Sequence, residues 1–142
     1  MKNSKEMLST LLKITQTGQT GIRSVLDLSM EAGLRSALHS QLREYDAIEN
    51  EVHAIAGQRG WELRELDPTI RFLTDRVTRF RLSGSSSDSR IAGILIRDNT
   101  KGIIRGLRDF HRYPSQDQRI QILTQKLLDC ENAGIQRFQS YL

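Results

Sequence analysis

Apolar side chains recur at helical spacing through four stretches of about 25 residues each, and this limits the possible folds more than any short motif does. The last stretch, residues 117–142, shows it best. On a wheel turning about 100° per residue, Ile120, Leu123, Leu127, Gly134, Phe138 and Tyr141 gather on one side, with Glu131 near their middle. A carboxyl placed in an apolar stripe needs a partner. The other three stretches must supply it, so the chain reads as a bundle organised around Glu131.

The first stretch, residues 4–28, places Leu8, Leu11, Ile22 and Val25 on one face, with Asn3 and Glu6 in capping-box spacing ahead of it. Gly18 and Gly21 each cost about 1 kcal/mol against alanine in mid-helix. A closely approaching neighbour would offset that; a kink is the other reading. The second stretch, residues 30–56, has Ser29 as its expected N-cap and Gly57 as its stop. Its face is Leu34, Ala37, Leu38, Gln41, Tyr45, Ile48, Val52 and Ile55, with Glu44 at the edge. A connection follows, with a short helix over residues 67–82 that Asp67 caps and Pro68 opens, then a Ser-rich loop at residues 83–89. Its length suits a return along the bundle better than a hairpin. The third stretch, residues 88–112, buries Ala92, Leu95, Ile96, Gly102, Ile103, Gly106 and Phe110, with Asn99 central. A short turn at Tyr113 and Pro114 leads to the fourth helix, residues 115–141, opened by a Ser115 and Gln118 capping box and antiparallel to the third. Helices of this size are about 38 Å long and fit side by side.

The 142 residues suit one domain with a real core. Few aromatics and only two prolines agree with long helices rather than many strands. A lone cysteine, Cys130, excludes an intramolecular disulfide and a zinc-ligand set, and points to a reducing, cytoplasmic setting with an inert buried thiol. The N-terminal residues show no signal-peptide pattern, and no apolar run approaches the ~20 residues of a membrane span. A formal charge of +4 permits an anionic partner without demanding one.

The middles of the four stretches align as Gly18-Gln19-Thr20-Gly21-Ile22, Glu44-Tyr45-Asp46-Ala47-Ile48, Asn99-Thr100-Lys101-Gly102-Ile103 and Glu131-Asn132-Ala133-Gly134-Ile135. Each has a small residue followed by isoleucine, and in two a glutamate stands three places earlier. On these motifs, the helix lengths and the long second connection, the chain resembles the ferritin-like four-helix bundles, in particular the small bacterial, spore-coat-like group. The resemblance implies an all-α bundle with a helical crossover between the second and third long helices. Di-metal members of that fold offer Glu, Glu-x-x-His, Glu and Glu-x-x-His, because residues three apart share a helix face. The corresponding positions here are Gly18, Glu44 with Ala47, Asn99, and Glu131 with Gly134. Both histidines and two carboxylates are lacking, so the resemblance implies a degenerate metal centre with Glu44 and Glu131 as remnants, and no cofactor is expected. His39, His53 and His111 lie off the core stripes and read as surface residues.

Two polar groupings remain as candidate sites. Gln41, Tyr45, Asn99 and Glu131 are expected to meet inside, with the Tyr45 hydroxyl donating to Glu131, as a register-fixing layer or as the floor of a small-ligand pocket. Arg90, Arg97, Lys101, Arg105, Arg108 and Arg112 form a ridge within about 80° of the third helix's wheel. Three functions stay open. The first is a non-catalytic structural or interaction module that self-associates as a dimer. The second is a carboxylate metal-binding protein or oxidoreductase using Glu44 and Glu131. The third is polyanion binding along the ridge, although nucleic acid is not the expected partner, because the ridge carries no interleaved aromatics.

Overall fold

The computed structural model describes residues 2–69 and 87–142. Among the described residues there are four long α-helices and no strand: α1 (Lys2–Val25), α2 (Ala32–Arg59), α3 (Asp88–Arg112) and α4 (Gln118–Gln139). None of them is long and apolar enough to cross a membrane.

Each of α1 and α4 packs against both α2 and α3, while α1 and α4 meet more sparsely across the bundle. Paired contacts fix the directions. Gln16 and Gln19 reach Glu49 and Asp46, so α1 and α2 are antiparallel. Thr10 bonds Asp109, and Ser4 bonds Ser115 at the far end of α3, so α1 and α3 are antiparallel as well. It follows that α2 and α3 run parallel. Of the expected 67–82 helix, Pro68 and Thr69 are helical and the Asp67 carboxylate accepts from the Thr69 N–H at 2.7 Å; the remainder lies outside the described residues. So does most of the Ser-rich stretch, except that Ser87 caps α3 by accepting from the Arg90 N–H and Asp88 and Ser89 are already helical.

The core is the sum of the four stripes: Leu8, Leu11, Ile22 and Val25 of α1, Leu34, Leu38, Ile48, Val52 and Ile55 of α2, Ala92 and Leu95 of α3, and Ile120, Leu123, Leu127 and Phe138 of α4. Ile91 and Ile94 of α3 are buried too, whereas Ile96, Gly102, Ile103 and Phe110 are only half-buried, because only part of the wheel's apolar sector on α3 is covered. Tyr141 lies past the end of α4 with its ring end against Gly33.

Several expected helix ends are corrected. Asn3 lies within α1, so there is no capping box with Glu6. Ser29 does not cap α2; the helix starts after Glu31, which makes no side-chain cap bond, and the Glu31 N–H donates to the Asp88 carboxylate at 3.3 Å, tying this end to the start of α3. Gly57 stays helical, and α2 ends in a Schellman arrangement at Gly60, with positive φ (65°) and the Trp61 N–H on the Ala56 carbonyl at 2.9 Å. Asp117, not Ser115, caps α4, its carboxylate accepting from the Ile120 N–H at 3.2 Å. Arg59 at the end of α2 pairs with that carboxylate and holds it below the usual range.

Candidate functional site: a polar layer with glycine sockets

The structure brings Gln41, Tyr45, Asn99 and Glu131 into one buried layer at mid-bundle. Asn99 Oδ1 accepts from Gln41 Nε2 at 3.2 Å and from the Tyr45 hydroxyl at 3.1 Å, and the same hydroxyl is in hydrogen-bond contact with Glu131 Oε1. Gln41 Nε2 also approaches the Cys130 carbonyl at 3.4 Å. Asn99 Nδ2 is the one buried side-chain donor without a partner among the described residues.

Room for these side chains comes from glycines on neighbouring helices. A Cβ on Gly18 of α1 would fall inside the Tyr45 ring edge. On Gly102 of α3 it would stand 2.7 Å from Glu131 Oε2, and on Gly134 of α4 it would stand 2.5 Å from Asn99 Nδ2 and overlap Gln41. Gly18, Gly102 and Gly134 therefore admit side chains, and α1 is one continuous helix through Gly18 and Gly21.

A phenol has one proton, and Tyr45 faces two acceptors. Both contacts are satisfied when Glu131 is a neutral acid: its O–H donates to the Tyr45 oxygen, Tyr45 donates to Asn99 Oδ1, and Gln41 donates to the same oxygen. Burial is the main cause that pushes the Glu131 carboxyl up, to about 8, with the Asp98 charge adding to the rise and the Tyr45 hydrogen bond opposing it. Burial, and then the Glu131 charge, raise the Tyr45 phenol in turn.

Glu44 is placed elsewhere. It is half-buried on the outer α2 and α4 face, 3.7 Å from Arg137, beside Cys130. Cys130 is buried, and burial raises its thiol further from the thiolate, with Glu44 next. His39, His53 and His111 are exposed. No group of three His, Cys, Asp or Glu able to hold a metal exists among the described residues. The layer's one carboxyl already engages Tyr45, so this donor set does not fit a di-metal centre.

All six members of the basic ridge are exposed. Lys101, Arg105, Arg108 and Arg112 converge with Lys13 of α1 and Arg64 of the connection on a groove of about 620 Å³, against two acids, Glu6 and Asp109; Arg90 and Arg97 do not line it. The Asp109 carboxylate also accepts from Thr10 at 2.7 Å.

Sequence patterning missed a second polar face on α1. Gln16 and Gln19 are buried, Gln16 donating to Glu49 at 3.2 Å and accepting from the Leu66 N–H at 2.9 Å, and Gln19 donating to Asp46 at 2.9 Å. Glutamine on a helix reads as solvated; burial here depends on the segment after α2 lying across α1.

Comparisons with family models, with curated proteins and with solved structures find no match to this chain. Among the described residues the chain shows an all-α bundle of four long helices, with a hydrogen-bonded polar layer that contains one carboxyl and no histidine.

Proposed function

We propose that this is a non-catalytic, ferritin-like bundle, of the small bacterial kind, with its second connection crossing the bundle, acting as a cytoplasmic structural or interaction module. The observation that carries the reading is the Gln41, Tyr45, Asn99 and Glu131 layer: of the positions that the resemblance aligns with metal ligands, Asn99 and Glu131 enter it as one amide and one carboxyl, while Glu44 faces Arg137. The parallel course of α2 and α3 supports the crossover. Self-association as a dimer belongs to the same proposal, supported by Ile104 and Leu107, which stand half-exposed on α3. The test is elemental analysis of the purified protein beside thermal melts with manganese, iron(II) and zinc. The expected result is substoichiometric metal and no specific rise in melting temperature. Stoichiometric metal with a rise abolished by Glu131→Gln would move the reading to a metal-binding protein or oxidoreductase.

A second reading, polyanion binding, is favoured by one observation: Lys13 and Arg64 join four members of the ridge in one groove. Its expected signature is weak duplex or polyphosphate binding at low salt that falls steeply as salt rises. Absence of binding at low salt would remove it, because the electrostatic attraction is strongest there.

A further inference from the structure

Between α1 and α3, over the polar layer, lies a cavity of about 130 Å³ lined by Ile14, Gly18, Tyr45, Gly102 and Glu131, with Lys101 and Arg105 also on its wall. Lys101 and Arg105 are exposed and line the basic groove as well, so cavity and groove meet at these two cations. We propose that this cavity binds a small organic carboxylate, its charged end at Lys101 and Arg105, its apolar body between α1 and α3, and a hydroxyl at its far end donating to Glu131.

Glu131 supplies the first argument. It is 2% exposed, one carboxyl oxygen is engaged by Tyr45, and the other, above Gly102, accepts no hydrogen bond from any described residue while the side chain lines the cavity. That oxygen is reachable from the cavity, and a ligand hydroxyl donating to it would fill its acceptor capacity. The Gly102 and Gly18 surfaces keep the approach open, since a side chain at Gly102 would meet that oxygen.

Size and charge narrow the ligand. A cavity of about 150 Å³ accommodates a benzene ring, so this one suits a body of about six heavy atoms. The walls that Ile14, the two glycines and the Tyr45 ring present are largely apolar, which suits a ring or a short branched chain. Of the two acids on the wall, Glu131 lies at the inner end as a neutral acid, so at the junction two cations face Asp98 alone and an anionic end is favoured over an ammonium there. Charge attraction at an exposed mouth is modest and salt-sensitive. The apolar body and the inner hydrogen bond must therefore supply much of the affinity.

The test follows the Ile14 methyl resonances of the intact protein while 4-hydroxybenzoate, 4-hydroxypentanoate, benzoate, phenol and benzylamine are added separately at millimolar concentration. Saturable shifts of Ile14 are expected with the first two probes, with at least about tenfold weaker binding for benzoate, which lacks the inner polar group. The double replacement of Lys101 and Arg105 by alanine changes exposed side chains only. It should weaken 4-hydroxybenzoate severalfold and leave phenol unchanged. The proposal is overturned if neither of the first two probes moves Ile14, if the double replacement leaves their affinity intact, or if benzylamine binds more tightly than they do.

Discussion

Between pH 5 and pH 8 the protein is expected to lose stability steadily, and Glu131→Gln is expected to flatten that loss. The sign follows from linkage. An unfolded glutamate titrates near 4.5, whereas the buried Glu131 carboxyl holds its proton to about 8. In this window the folded state binds more protons than the unfolded one, so each pH unit costs about 1.4 kcal/mol where the difference approaches one proton. The stabilisation is complete below pH 4.5 and is lost as pH rises through the folded value. The groups facing Glu131 are Tyr45 of α2 and Asp98, Lys101 and Arg105 of α3, while α1 brings Ile14, Thr17 and Gly18. Glutamine keeps the shape and can donate to the Tyr45 oxygen as the neutral acid does, without a charge to bury. The variant should therefore resemble wild type at pH 5 and exceed it at pH 8 in denaturant titrations. Parallel pH profiles for the two proteins would show that Glu131 is not the neutral acid of the layer. Combined with Tyr45→Phe, the replacement should be non-additive; two independent, near-neutral effects would mean that the hydrogen-bonded chain contributes nothing.

Gly18→Ala and Gly134→Ala are expected to destabilise, although alanine is the better helix former by about 1 kcal/mol. The Tyr45 ring beside Gly18 is fully buried, and the Gln41 and Asn99 amides beside Gly134 are enclosed by the same layer, so none can swing away into solvent. Overpacking of this kind typically costs about 1 to 3 kcal/mol. Gly57→Ala is the internal control. It also lies within a helix, but a Cβ there would meet nothing within 4 Å, so that variant should gain up to about 1 kcal/mol. Equal responses at all three positions, measured by thermal and denaturant unfolding, would mean that the glycines are not sockets.

How much of this could be read from the residues depends on whether one helix or two decides the matter. The stripes of α2 and α4 were legible down to single positions, including Gln41, Tyr45 and Glu131 among apolar neighbours, because burial there follows the period of one helix. Gly18 stood out as costly in a helix and Gly134 as part of its stripe, but which side chain each admits depends on how two or three helices sit together. The caps failed for the same reason. Ser29 and Ser115 have ordinary capping chemistry, yet Asp88, far along the chain, reaches the start of α2, and Asp117, braced by Arg59, opens α4. Glu44 also stood three residues from a small residue just as Glu131 does, but one faces Arg137 and the other faces inward, because Tyr45 occupies the inward place on α2.

The sockets also bear on how assembly is checked. Tyr45 needs a gap on α1, Glu131 needs one on α3, and Gln41 and Asn99 share one on α4, so every helix is gauged against another at the same level. Sliding α1 by a turn, about 5.4 Å, would present Ile14 or Ile22 to the Tyr45 ring instead of Gly18, and purely apolar stripes would scarcely resist such a slip. The layer thus works as a vernier: its marks coincide in one alignment of the four helices, and a misaligned bundle reveals itself by a side chain with nowhere to go.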